Sequence, residues 1–440
     1  MSVSHAPPGH LYGQLLGEPL THAAWRIHAL LLLLLPIMAW QVIVPAHQEP
    51  NFGIKLADGQ LVIRDLAAHI RFARAFWAEG GDYSVASHIQ ITNAWCGQDV
   101  NRALPFGYSP TMLWLLAPFC VLTTKWGFVI WTLINGGAVW WMAQRRRSVC
   151  LIGALALVSP LTMISMALGQ TSLLTAAGII FLMLRHRRAD LEATERWSWL
   201  LVCEVVVLWA LTAKPPLAIA AAAAMLVGRR WKTVCSAIAL TLVTTLLLTP
   251  KLGYDWVAQY VALLSSYDRE MADAAFAWSL RPDHMSNLRS LLWSYGVIGD
   301  HVASQISAVC WLISTAAIVA AGAVRKLPGY AAWALAVLAY LLFCPHLTST
   351  EDLHLIVVVA WSVVYLPNYA GNYRFTLAVL ALTVALFAPD NLLPVGGFRS
   401  SFIFGVKLSI LAVVCAALRS CREPKTLPET PRLATDGPSR

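Results

Sequence analysis

Charged side chains are scarce in this 440-residue sequence, where Asp, Glu, Lys and Arg together make up only 12%. Soluble domains carry about 25% charged residues, so a chain of this length has too few charges for a solvated surface. Hydrophobic residues make up 58%, and the mean hydropathy is +0.62. The composition therefore excludes a soluble enzyme as a description of the whole chain and indicates an integral membrane protein.

Cysteine is present without any informative spacing. The nine cysteines follow neither a metal-binding nor a disulfide pattern, and most lie inside apolar runs, which is typical of small core residues. The net charge of +9 would suggest nucleic acid in a soluble protein. Here Lys and Arg gather in short loops between apolar runs, where they set membrane orientation, so no nucleic-acid partner is expected.

The apolar runs predict an all-α polytopic membrane protein with about twelve transmembrane helices. The first, residues 29–44, lacks a small-residue cleavage site and is interpreted as an anchor. Residues 111–122 are too short to cross about 30 Å of hydrocarbon and are predicted to form a re-entrant or interfacial helix. The other spans are predicted near residues 126–143, 149–167, 171–184, 197–212, 216–227, 233–249, 302–322, 330–344, 353–366, 375–388 and 401–418.

Basic clusters predict the orientation of these spans. With 111–122 not crossing, the clusters that fall on one side are Arg145–Arg147, Arg185/Arg187/Arg188, Arg229/Arg230/Lys232, Arg325/Lys326 and Arg419/Arg422/Lys425. Positive charge in short loops favours the cytoplasm, so both termini are predicted to be cytoplasmic. Two long external loops follow, at about 45–125 and 250–300. One transmembrane domain, 1–422, and a disordered cytoplasmic tail, 423–440, complete the expected organisation.

Asp65 is the first candidate for chemistry at the outer face. Leu66, Ile70, Ala73 and Trp77 recur at helical spacing, and the arginines share the other side, which predicts a basic amphipathic helix on the membrane surface. At its first turn Asp65 either complements the helix dipole or takes a proton from a substrate hydroxyl.

Other polar groups are expected at external turns. Tyr108, before Pro110, fits an interfacial aromatic or a substrate contact. Gln170 either forms hydrogen bonds between neighbouring helices or belongs to the site. Lys214 either extends its ammonium to the membrane interface or contacts a lipid phosphate. The remaining candidates are Arg281 in the second loop and His346 and Asp352 between two spans, whereas Glu351 and His354 are interpreted as solvated. The zinc-binding spacing is not met there.

In order and placement these elements resemble the C-type glycosyltransferases, and most closely glycosyltransferase family 87, the polyprenyl-phosphate-mannose-dependent mannosyltransferases. The resemblance runs from about residue 63 to 354. It rests on Arg-Asp-Leu at Asp65, Tyr108-Ser-Pro110, Gly169-Gln170, Lys214-Pro215, and Pro345-His346 with Asp352. Two prolines often follow the tyrosine in that family, whereas this chain has Ser109-Pro110.

The resemblance implies an inverting transfer of a hexose, with mannose expected, from a polyprenyl-phosphate sugar to a glycan or glycolipid hydroxyl. Asp65 would be the general base, and Tyr108, Gln170, Lys214, Arg281, His346 and Asp352 would bind substrate. No cofactor or metal is expected beyond the donor. The active site would lie on the outer face of a cell membrane, with a bacterial inner membrane expected. A secondary transporter and a lipid-linked polysaccharide ligase or polymerase remain alternatives.

Overall fold

A computed structural model describes residues 53–55, 61–96, 106–144, 160–189, 199–266, 285–296, 298–324, 326–347, 349–369, 378–379, 381–383 and 397–420. The predicted first span at 29–44, the predicted tail at 423–440 and most of the span at 375–388 lie outside these residues.

Helices make up nearly all of the described chain, as predicted. The exception is a small antiparallel hairpin of β1 (Gly53–Lys55) and β2 (Leu61–Ile63), directly before the first helix. The α-helices are α1 (Asp65–Glu79), α2 (Val85–Cys96), α3 (Thr111–Cys120), α4 (Thr124–Gln144), α5 (Pro160–Leu168), α6 (Ser172–Ala189), α7 (Trp199–Leu211), α8 (Pro215–Val227), α9 (Trp231–Leu252), α10 (Trp256–Ser266), α11 (Leu288–Ser294), α12 (Asp300–Ala323), α13 (Gly329–Phe343), α14 (Leu355–Tyr369) and α15 (Gly397–Ser420). A 3₁₀ helix, Ser349–His354, precedes α14.

Three described helices are long and apolar enough to cross a membrane: Trp231–Leu252, Asp300–Ala323 and Arg399–Arg419. Large apolar side chains face outward on them, such as Leu246 on α9, which is 66% exposed, and Ile313 on α12, which is 63% exposed. Apolar surface of this kind fits contact with lipid. A membrane protein of helices is thereby supported, whereas the count of twelve spans stays a prediction.

The segment at 111–122 has the predicted short helix, α3, which contains only ten residues. It is bent by 119° from the start of α4 at a break of a few residues. Taken as one unit, the bent pair could count as a fourth span. The bend fits either a broken span or the predicted re-entrant segment.

Two apolar clusters organise the packing. The larger one joins α5, α6, α8, α13 and α14, and the smaller one joins α1 and α3 to the ends of α4, α9 and α10. Helix α8 begins at Pro215-Pro216, a favourable helix start, and continues with alanines that are mostly buried. Small side chains let helices approach closely, and α8 packs against the similarly alanine-rich α13.

The basic side of α1 is an interface within the protein. Arg64, just before the helix, is 2% exposed, and its guanidinium lies 5.5 Å from the centre of the Phe128 ring. Arg74 donates from Nε to the carbonyl of Cys120 at 2.9 Å and from Nη2 to that of Leu122. These contacts tie α1 to α4 and to the bend between α3 and α4.

A buried carboxylate joins two of the predicted cytoplasmic clusters. Glu204 on α7 is 1% exposed. It accepts from Arg185 Nε at 3.1 Å, from Arg230 Nη2 at 2.5 Å and from Thr233 Oγ1 at 3.3 Å. Arg185 and Arg230 therefore lie at the same end of the helices, whereas the predicted assignment of that end to the cytoplasm stays a prediction.

Reporter fusions test this orientation. We expect fusions at Arg146, Arg187 and Arg230 to behave as cytoplasmic and fusions at Cys96 and Asp283 to behave as external, because positive charge is retained inside. An external signal at Arg146, with Cys96 also external, would mean that residues 111–122 cross the membrane, and the orientation of every site beyond them would be wrong.

Candidate active site

Asp65 begins α1 and is half-buried. The helix starts here because Arg64 has extended backbone, and an acidic residue in the first turn suits the helix dipole. The Oδ2 atom of Asp65 accepts a hydrogen bond from Nε2 of Gln170 at 2.9 Å. The acidic residue and the Gly-Gln turn, selected separately in the sequence, therefore meet.

A glycine makes this meeting possible. Gly169 ends α5 with a φ of 75°, and a Cβ placed on it would lie 2.3 Å from Cβ of Leu66. The turn closes with a hydrogen bond from the backbone N–H of Gln170 to the Ser165 carbonyl at 2.8 Å. Oε1 of Gln170 accepts from the Thr350 hydroxyl, so the amide is oriented with its nitrogen toward Asp65.

Burial raises the pKa of Asp65 to about 6, although the hydrogen bond from Gln170 and the charge of Lys214 both lower it. A carboxylate with this pKa is ionised near neutral pH and is a stronger base than an ordinary aspartate. The environment therefore prepares Asp65 to accept a proton.

Lys214 lies in the turn between α7 and α8, where its ammonium pairs with Oε1 of Glu351. Its Nζ atom lies 5.7 Å from the centre of the Tyr108 ring. Burial alone would lower the pKa of Lys214, but the carboxylate of Glu351 raises it above its usual value. Lys214 is therefore a fixed cation next to Tyr108.

Hydroxyl groups complete the coordination of Glu351. Oε1 accepts from Ser172 Oγ at 3.1 Å, and Oε2 accepts from the Tyr340 hydroxyl at 3.0 Å. Nδ1 of His354 lies 3.2 Å from Oε2. Burial would raise the pKa of Glu351, but Lys214 and these neighbours hold it at about 2. Glu351 is therefore ionised at neutral pH and holds Lys214 in position.

Aromatic rings pack around Tyr108, next to Lys214. The imidazole of His69 lies edge-on to Tyr108, with ring centres 4.8 Å apart, and next to Phe106 at 5.5 Å. Ser109 holds this segment against the Lys-Pro turn, since its hydroxyl donates to the Thr212 carbonyl at 2.6 Å. Tyr108 is thus held next to Lys214, and both of its predicted roles stay predictions.

Asp352 turns away from Lys214. Its Oδ1 lies 2.5 Å from Nζ of Lys407 on α15 and accepts from Ser286 Oγ at 3.1 Å. Lys407 also donates to the Ser286 carbonyl at 2.6 Å and is 0% exposed. Asp352 therefore anchors the last helix next to the site.

His346 is exposed, and its Nδ1 lies 3.3 Å from Nη1 of Arg289. Arg289 is itself held by Asp300, with Nη2 at 2.6 Å from Oδ2. The structure thus brings Asp65, Tyr108, Gln170 and Lys214 together, and places His346 and Asp352 in a neighbouring network. Arg281 lies outside the described residues.

Comparison with known proteins identifies the family. A sequence model of glycosyltransferase family 87 matches residues 106–350, more than half of the chain. The chain belongs to glycosyltransferase family 87. A search of curated proteins and one of solved structures each gave no match. The family resemblance seen in the sequence is confirmed, and the chain is a membrane glycosyltransferase.

Within this family 87 glycosyltransferase, the matched region contains Tyr108, Gln170, Lys214 and His346, whereas Asp65 precedes it and Asp352 follows it. The contact between Gln170 and Asp65 therefore extends the site beyond the matched region. Among the described residues, no group of three or more His, Cys, Asp or Glu could hold a metal ion.

Two residues interpreted as solvated are buried instead: Glu351 is 5% exposed and His354 is 0% exposed. The interpretation as solvated residues is wrong for Glu351 because its buried carboxylate pairs with Lys214 and accepts hydrogen bonds from neighbouring hydroxyls. His354 also finds a buried partner, with Nε2 at 2.9 Å from Thr175 Oγ1. Sequence spacing did not favour Glu351 over Asp352, because only the fold shows which acid faces Lys214.

Substituting Gly169→Ala tests the turn that delivers Gln170 to Asp65. The methyl group must displace Leu66, and the left-handed backbone disfavours alanine, so we expect about 1–3 kcal/mol of destabilisation and a strong loss of transfer per folded molecule. Gly137→Ala is the matched control, since a Cβ there meets nothing within 4 Å. Wild-type thermal unfolding and activity in Gly169→Ala would show that the turn tolerates the methyl group.

Proposed function

We propose that this glycosyltransferase moves mannose from a polyprenyl-phosphate sugar to an acceptor hydroxyl at the outer face of a cell membrane. The acceptor would be a glycan or glycolipid, the anomeric configuration would be inverted, and Asp65 would be the general base. This proposal rests on the 2.9 Å hydrogen bond from Gln170 to Asp65, with the Lys214 ammonium close enough to lower the pKa of Asp65 and 5.7 Å from the centre of the Tyr108 ring.

Three observations favour Asp65 as the general base. As a residue Asp65 is only half-buried, so an acceptor hydroxyl can approach it. Gln170 occupies Oδ2, which leaves Oδ1 to receive a proton. Its pKa of about 6 lies near a neutral working pH, where general bases are most effective.

Lys214 would stabilise the phosphate leaving group. As the acceptor oxygen bonds to the anomeric carbon, the bond from that carbon to the phosphate oxygen breaks and its electron pair passes to the phosphate. The phosphate gains a negative charge while Asp65 gains the proton of the hydroxyl. A pre-positioned ammonium at that place stabilises the developing charge, and Lys214 is held for it by Glu351.

The remaining predicted residues would have supporting roles in the reaction. Tyr108 would pack against the sugar, and Gln170 would orient Asp65. His346, with Arg289 behind it, and Arg281 from the external loop would contact the lipid phosphate or acceptor. Asp352 would act through Lys407 and would position the segment that carries Glu351.

The alternatives fit the observed contacts less well. A secondary transporter uses ionisable groups near the membrane midplane, but Glu204 is engaged by Arg185 and Arg230. A lipid-linked polysaccharide ligase or polymerase would need an arginine cluster for a diphosphate at about 269–289 in the second external loop, and residues 267–284 of that loop lie outside the described residues. Arg289, in the described part of that loop, is paired with Asp300.

Asp65→Asn tests the base directly. Asparagine keeps the size and an acceptor for Gln170 but cannot take the proton, so mannose transfer from a radiolabelled polyprenyl-phosphate donor should fall by about 100-fold or more. Turnover is measured per folded molecule, and donor binding should persist.

Asp82→Asn provides the matched control, because Oδ1 of Asp82 accepts from the amide and hydroxyl of Ser84 just before the next helix. This variant should keep its turnover. Near-normal turnover in Asp65→Asn would contradict the assignment. Transfer of another sugar in place of mannose would contradict the proposed donor while leaving Asp65 as the base.

The pH dependence gives an independent test. Since a base must be ionised, the rate should rise with pH through about 6, the raised pKa of Asp65. Gln170→Leu removes the hydrogen bond that favours the ionised form, so the acidic limb should move to higher pH. Gln305→Leu, an exposed position on α12, should leave it in place. An acidic limb that does not respond to Gln170→Leu would belong to another group.

A further inference from the structure

An open cavity lies apart from the site, between α1 and the bend that joins α3 to α4. Its volume is about 470 Å³, and the residues that line it are Arg71, Arg74, Cys120, Val121, Leu122, Thr123, Thr124 and Lys125. We call it the basic cleft. Three of these described lining residues are cations and none is an acid, so the cleft is complementary to an anion.

The cleft is distinct from the active site because α1 separates them. Arg74 comes nine residues after Asp65, which is two and a half helical turns and places it on the opposite side of the helix. Along the helix axis the two lie about 14 Å apart. An anion in the basic cleft therefore would not occupy the space between Asp65 and Lys214.

Arg74 is held rigidly at the cleft. It donates to the carbonyls of Cys120 and Leu122, which lie at the end of α3. A guanidinium has five N–H donors, so Arg74 keeps donors for a ligand beyond these two carbonyls. Such fixed, planar donors are well suited to phosphate oxygens.

The surface beside the cleft is apolar and exposed. Val121, at its rim, is 87% exposed. On α4, Trp126 is 56% exposed and Leu133 is 67% exposed, and their seven-residue separation places them on one side of the helix, two turns apart. A tryptophan beside cations, with leucine beyond, is typical of the membrane interface.

We propose that the basic cleft binds the phosphate headgroup of an anionic glycerophospholipid from the surrounding bilayer. The phosphate would contact Arg71, Arg74 and Lys125, and the acyl chains would lie along the exposed side of α4. This lipid would fasten the bend to α1. A free phosphate offers the same anion without the chains, so affinity should depend on both parts.

Binding to the purified full-length protein in nanodiscs tests the proposal. In phosphatidylcholine discs that contain increasing phosphatidylglycerol, native mass spectrometry should find retained phosphatidylglycerol. The double variant R71Q/K125Q should bind it at least about 10-fold more weakly, since charge-assisted contacts are lost. Arg74 is left in place because it also supports the end of α3. R71K/K125R, which keeps both charges, should retain binding.

Lys232→Gln is the control, since Lys232 lies next to Trp231 at the start of α9 and outside the cleft. Glycerophosphoglycerol, which is phosphatidylglycerol without its acyl chains, should compete at least about 100-fold more weakly than the lipid, because buried methylene groups contribute to binding. Equal competition by glycerophosphoglycerol would reduce the cleft to a simple phosphate site. Displacement of the phospholipid by polyprenyl phosphate at equal concentration would make the basic cleft a donor site. Unchanged phosphatidylglycerol binding in R71Q/K125Q would refute the proposal. Sugar transfer enters none of these readouts, so they stand apart from the proposed reaction.

Discussion

The ion pair between Lys214 and Glu351 is the interaction on which the site depends. Two charges buried in an apolar bundle are tolerated only when hydrogen bonds satisfy their remaining polar atoms. Glu351 meets this requirement with hydroxyls from Ser172 and Tyr340. Because those groups come from α6 and α13, the pair ties the Lys-Pro turn to the core of the bundle, and a cation is held in place before any substrate arrives.

The same pair shapes the chemistry available to Asp65. Since Glu351 largely balances the charge of Lys214, that ammonium lowers the pKa of Asp65 only in part, and burial leaves it at about 6. In the proposed transfer, Asp65 loses its negative charge as the phosphate gains one. The total charge of the site then stays constant, so a low-dielectric environment need not oppose the reaction.

The sequence predicted a helical membrane protein correctly, because long apolar runs favour helices that cross a bilayer with little reference to tertiary structure. The count of twelve spans and their orientation stay predictions. The sequence also predicted Asp65, Gln170 and Lys214 as polar groups at external turns, and these meet around Tyr108. It did not predict the partner of Lys214. Glu351 and Asp352 are neighbours of the same charge, and their different directions follow from the 3₁₀ helix, where successive side chains are about 120° apart. The hairpin before Asp65 also escaped prediction, since its strands have three residues each.

The two acids together explain why the last helix lies beside the site. Lys407 is a cation in the middle of an apolar helix, which is costly in a membrane unless it is paired. Asp352 and Ser286 supply that pairing, while Glu351, one residue away, holds Lys214. A single turn of 3₁₀ helix therefore neutralises two lysines from distant parts of the chain. The position of α15 and the position of the site cation are thus consequences of the same local structure.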